Sequence, residues 1–298
     1  MKNLTIDGVL QGHSYLGSIV GENYGRIENV KNLGKVETLT DGFAAGIASR
    51  SYTGSSIVNC VNEGSIISKK TFATGLVYEA KVGSLIENCT NKGELTSTTT
   101  STCGLAYKVA GTIKGCKNEG KMTATGTMVG LVHTLDVTAH MEDCVNYSDL
   151  DLSGLAKPGG SLTGIANTLT AVKTPDPESD GAQVINCHNH GNIKGASYLF
   201  GGIQKINAGW TVIGCSNTGD IAGTGSANGF SEQISGGTSE ELLTVVKECF
   251  NSGNVSGNAT KIAGFAGTQA KYSRIEDCYN LGDVTTSNAG LTSAGFVA

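Results

Sequence analysis

The chain of 298 residues has only 3 prolines, 1 tryptophan, 6% aromatic residues and 16% charged residues. A disordered chain would carry far more charge or proline, so the scarcity of both argues for a packed fold. No apolar run nears the ~18 residues of a membrane-spanning helix, and Met1-Lys2-Asn3-Leu4 leads into no signal-peptide core. The formal charge is −5 and Lys and Arg never cluster, which argues against a nucleic-acid or anionic-membrane partner. Catalytic signatures are missing too: there is no G-x-S-x-G, no H-E-x-x-H and no Walker loop.

What the chain has in excess is glycine, 43 residues, and a repeat. Segments such as Ile57-VNCVNEGSI, Ile86-ENCTNKGEL and Val246-KECFNSGNV recur nine times, and the asparagine never varies (Asn32, Asn62, Asn91 and onward to Asn280). A Gly-apolar pair follows each one, from Gly46-Ile47 through Gly202-Ile203 to Gly295-Phe296. Cys60, Asn62, Gly64 and Ile66 are spaced by two, with variable residues between, which is strand alternation with one face inward. The residue before the cysteine slot is Asn, Asp or Gly in eight of nine copies, Glu248 being the exception. These types tolerate a left-handed kink, so a corner or bulge is expected there.

Short strands stacked at ~28-residue intervals, with no helical periodicity, predict an all-β fold: a right-handed parallel β-helix (solenoid) of about nine to ten rungs, roughly 45–50 Å long. A propeller needs four strands in ~40 residues, and these repeats are too short. Residues 1–298 then form one domain, with 1–26 as an N-terminal half-rung or cap and 27–298 as nine repeats. The Ile-x-x-Cys-x-Asn-x-Gly-x-Val block followed by Gly-Leu-Val resembles the GLUG-type repeats of bacterial surface proteins. The resemblance covers residues 27–297 and departs from the pattern at Val30, in a cysteine slot, and Ser148, in a glycine slot. It implies a stalk or binding module of an adhesin-like protein, at the cell surface or outside the cell, and is unspecific for activity. The absence of a signal and an ending partway through a rung suggest a piece of a longer chain.

Eight of the nine cysteines share one slot. Stacked thiols point in parallel, whereas zinc needs four converging ligands and a disulfide needs facing Cβ vectors, so a buried, reduced, metal-free column is expected. The asparagine column predicts amide ladders that satisfy buried polar groups. Asp149-Leu-Asp151-Leu-Ser153-Gly154 resembles half a calcium loop, but its twelfth position is Gly160 rather than Glu. His188 and His190 flank Asn189 on the outward parity and read as a solvated pair. No cofactor is expected.

The breaks in the repeat are where selectivity must come from, since insertions on one face of a solenoid often form its binding surface. Two connections are long, near 168–182 and 233–244, and the rung between them carries Trp210. Asp176, Glu178, Asp180, Glu240 and Glu241 on these loops favour a neutral or cationic partner. A second stripe, Tyr78, Tyr107 and His133, would display aromatic faces for stacking on a glycan. The expected function is a non-enzymatic extracellular stalk or adhesin segment that binds a glycan or a host surface protein through these loops. The alternative is a polysaccharide-cleaving β-helix enzyme, which would need carboxylates gathered in one groove.

Overall fold

The computed structural model describes residues 1–154, 160–174, 182–195, 198–258, 261–286 and 292–298. Every strand pairing among them is parallel, and each joins one rung to the next in a solenoid of about nine turns. Four faces run along the rod. The cysteine face is an 18-stranded sheet, the second face two 5-stranded sheets, the third a 10-stranded sheet and the fourth an 8-stranded sheet.

The cysteine face contributes two strands per rung, such as Ser56–Val58 and Val61–Asn62, because the backbone turns left-handed between them. Asn59, Asn88, Asp143 and Asn186 have φ of 50–54° there, and Gly115 and Gly214 have 62° and 65°. Glu248 adopts 55° without a side chain suited to it. The kink leaves backbone groups that the thiols take up. The Cys60 N–H donates to Cys89 Sγ at 3.4 Å, while Cys60 Sγ donates back to the Val58 carbonyl at 3.3 Å, and Cys89 repeats the pattern toward Cys116. None of the nine cysteines is in a disulfide. Cysteine therefore serves as more than a small apolar filler.

Two separate cores result. Ile57, Cys60, Leu76, Val77 and Ala80 belong to one, between the cysteine and fourth faces. Ile66, Ala73, Leu95 and Met128 belong to the other, between the second and third faces. At the waist between them runs the asparagine ladder. Each amide nitrogen donates to the next rung's amide oxygen at 2.7–2.9 Å, unbroken from Asn32 to Asn280. The motif glycines close the waist from the other side. A Cβ on Gly75 would overlap the Gly104 carbonyl oxygen and the Asn91 amide, so no larger residue fits.

Three departures from the repeat have local causes. Residues 2–23 already place strands on all four faces and pair with the following rung, more than the half-rung expected, although Ile6 occupies the asparagine slot. The second-face ladder breaks between Met122–Thr123 and Leu150–Asp151, in the copy where Ser148 puts a Cβ into a glycine slot packed against a neighbouring carbonyl. In the sixth copy the register puts Gly201, not Gly202, in the motif slot: it faces the Gly229 carbonyl oxygen and the Asn217 amide. Gly202 takes the place of the apolar residue, and the Phe230 ring of the next rung fills the space it leaves.

Candidate functional site

The third and fourth faces meet at a re-entrant angle, so their outward side chains touch across a groove that runs along the rod. Tyr15, Phe43 and Phe72 rise from equivalent positions of the third face. Tyr78, Tyr107 and His133 rise from the fourth. Within each column the rings stack at rung spacing: Tyr15–Phe43 at 5.0 Å, Tyr78–Tyr107 at 5.1 Å and 3° between planes, Tyr107–His133 at 4.9 Å. Across the groove they interlock, Phe43 with Tyr78 at 3.8 Å and Phe72 with Tyr107 at 4.1 Å. The Arg50 guanidinium covers the Tyr15 ring at 3.9 Å.

This arrangement decides what the stripe can do. Rings packed along the rod at rung spacing and interlocked across the groove have largely given their faces to one another. Stacking a sugar needs an open face, so Tyr78, Tyr107 and His133 act here as a zipper between rungs. Burial raises the Tyr78 and Tyr107 phenols above their usual range and pushes His133 down to about 4, so the imidazole is neutral at pH 7. Beneath them, burial also raises the Cys103 thiol, while the His133 backbone pulls the other way. Beyond His133 the wall turns polar. Asn167 Nδ2 donates to Ser161 Oγ across the groove at 2.7 Å and to Gln204 Oε1 at 2.6 Å, and Gln204 Nε2 donates to Glu232 at 2.8 Å.

The corner of the long connections looks different from its sequence. Trp210 is fully buried. Its position continues a column of small residues, Ser84, Gly111, Ala139 and Ala182. Nε1 donates to the Thr170 carbonyl at 2.7 Å, and the Gly209 N–H before it is held by Thr244 Oγ1 at 3.1 Å. The expectation that Trp210 offers its ring to a ligand is therefore corrected: the ring is core. Glu240 and Glu241 are exposed on a single 3-10 turn anchored by buried Leu242. Asp176, Glu178 and Asp180 lie outside the described residues.

Acids that sequence alone leaves unassigned are mostly paired with bases from neighbouring rungs. Arg50 lies 3.6 Å from both Glu22 and Glu79, and Lys108 holds Asp136 at 2.9 Å. Hydrogen bonds from Lys35, Lys69 and Gln11 hold the Glu37 carboxyl down at about 2. Asp149 accepts from the Asn192 N–H of the next rung at 2.7 Å and Asp151 from the Ser153 N–H of its own turn at 2.7 Å, so one oxygen of each carboxylate in the calcium-like stretch is engaged by backbone. Among the described residues no group of three or more His, Cys, Asp or Glu is placed to hold a metal. Sequence reasoning missed Tyr15, Phe43 and Phe72, which only the re-entrant corner brings to the predicted stripe. No family model matches the chain, and no curated protein or solved structure matches it either.

Proposed function

We propose that this rod is a non-enzymatic, extracellular stalk or adhesin segment, holding a contact surface at a distance from its attachment. One observation carries the reading: the side chains that could do chemistry are engaged in ladders that join rung to rung. The amides bond amides, the thiols bond the kinked backbone, the rings stack on rings, and the acids meet bases. A cleaving enzyme needs at least two carboxylates free to face a scissile bond, and the carboxylates described beside the groove are engaged, Glu22 and Glu79 with Arg50 and Glu232 with Gln204. The likeness of the repeat to GLUG-type surface modules supports the same reading. So does the thiol column, since burial keeps the Cys89 and Cys116 thiols protonated and shielded from oxidants outside the cell.

The contact surface in this proposal is the corner around Glu240 and Glu241, with a glycan or host surface protein as partner. Trp210 supports it from beneath. The test is to incubate the protein with neutral and acidic polysaccharides and follow retention and new reducing ends together. Retention without new ends, lost on replacing Glu240 and Glu241 by Gln, is the expected result. New reducing ends would establish the cleaving enzyme instead.

A further inference from the structure

The cysteine-asparagine strand of the sixth repeat carries the sequence Cys187-His188-Asn189-His190. Cys187 and Asn189 point inward and are buried, so His188 and His190 project from the same outer side. Their rings are nearly parallel, 24° between planes, with centroids 6.2 Å apart. What sets this pair apart is the next rung. His188 Nδ1 meets Ser216 Oγ at 2.8 Å, and His190 Nδ1 meets Thr218 Oγ1 at 2.7 Å.

The second contact fixes a tautomer. Thr218 Oγ1 has one proton and donates it to the Asn189 carbonyl at 3.4 Å. With that proton so directed, Thr218 Oγ1 accepts from His190 at 2.7 Å; the tautomer assigned on this basis carries the ring proton on Nδ1 and leaves Nε2 of the exposed ring as the ligand atom. Tyr147, from the rung before, stacks on the His190 ring at 5.2 Å and steadies it. An imidazole whose Nδ1–H is held by an oxygen while Nε2 stays open is arranged as metal-ligating histidines are.

We propose that His188 and His190 form a two-imidazole chelate for a divalent transition-metal ion such as Zn2+. With each Nε2 about 2.1 Å from the ion, the two nitrogens must come within about 4 Å. From centroids 6.2 Å apart, binding in this proposal requires the outer ring edges to lean together. Water completes the tetrahedron, so the site is open to a further ligand. Imidazole donors suit Zn2+, Cu2+ and Ni2+ over Mg2+ or Ca2+, which sets the expected selectivity. The site is independent of the stalk reading and of the loop corner.

The experiment titrates the whole chain with Zn2+ by calorimetry, with Ca2+ as the comparison ion. One saturable Zn2+ site is expected, with no Ca2+ heat. His190→Asn should weaken it at least 10-fold, and the His188→Asn/His190→Asn double variant should remove it. The decisive variant is Thr218→Val, which keeps both ligands but removes the hydroxyl that sets the tautomer. It should cost roughly 10-fold, as loss of an outer partner usually does. These side chains point outward, and an unchanged melting curve without metal would show each variant folded. No saturable binding in the wild type, or undiminished binding in the double variant, overturns the proposal. Full affinity in Thr218→Val overturns the tautomer argument.

Discussion

Replacing Asn118 by Asp tests the waist of the rod with almost no change of shape. Asn118 is fully buried. Its Oδ1 accepts from Asn91 at 2.9 Å, and its Nδ2 donates to Asn146 Oδ1 at 2.8 Å. An aspartate keeps the first bond, but the second then sets oxygen against oxygen. Protonation repairs this, because a carboxylic O–H donates where the amide did. The folded carboxyl is thus raised above its unfolded value of about 3.9. A fully buried carboxyl can rise by 3–4 units, and at about 1.4 kcal/mol per unit the variant loses roughly 4–5 kcal/mol relative to wild type at pH 8. The sign follows from proton counting: the folded variant holds a proton that the unfolded chain has released. Its stability is therefore greatest below pH ~4 and falls as pH rises through the folded pKa. Near pH 3.5 the deficit should shrink to about 1 kcal/mol, one neutral hydrogen bond exchanged for another. Asn118→Leu strands an amide on each side and should lose about 3 kcal/mol at every pH. Urea denaturation of all three proteins from pH 3.5 to 8 reads these differences, with buried Trp210 as fluorophore. A pH-independent deficit in the aspartate variant, or none at pH 8, would refute the ladder as a continuous donor-to-acceptor chain.

Other substitutions probe the remaining columns. Gly104→Ala, whose Cβ would overlap the Gly130 carbonyl and the Asn118 amide, should destabilise by more than about 3 kcal/mol, while Gly154→Ala, with open space around it, should leave the urea midpoint unchanged. Glu248→Asn should stabilise by about 0.5–1 kcal/mol by placing a tolerant residue at φ 55°, since the exposed ion pair to Lys247 that it gives up contributes little. A lower urea midpoint in that variant would count against strain at the kink. His133, held down to about 4 by burial, binds fewer protons folded than unfolded, so wild type should lose about 2–3 kcal/mol as pH falls from 6.5 to 4. In His133→Phe, which keeps a ring in the stack, that loss should disappear, and an identical pH profile would show that other groups carry it.

The repeat was legible because its physics is local. Cysteine, asparagine and glycine two residues apart announce an inward strand face, and Asn, Asp or Gly before the cysteine announces the kink; both follow from one rung and do not depend on how the faces close. The sixth copy shows where local reading stops. Gly201-Gly202 offers two candidates for one slot, and the choice rests on Asn217 and Phe230, which belong to the next rung. Trp210 was misread for the same reason. A lone indole between two long loops suggests display, yet its column of Ser, Gly and Ala lies on the inner side of the wall, and that column is visible only once the rungs are in register.

The aromatic groove depends on a still longer-range fact, the angle at which the third and fourth faces meet. Phe43 and Tyr78 are 35 positions apart on different faces, and their contact at 3.8 Å exists because the waist is pinched. The pinch exists because Asn62 fills the space that any side chain at Gly46 would need. So the ladder asparagine and the motif glycine together also determine that outward rings from neighbouring faces converge. Once they converge at rung spacing, stacking on one another is the arrangement that hides most of their apolar area, and it leaves no face for a ligand. Regularity itself thus argues against a binding role for the stripe. The side chains free to contact a partner are those whose neighbouring rungs do not repeat them, which is why the search for function moves to Glu240 and Glu241 on their single turn and to the one strand that carries paired histidines.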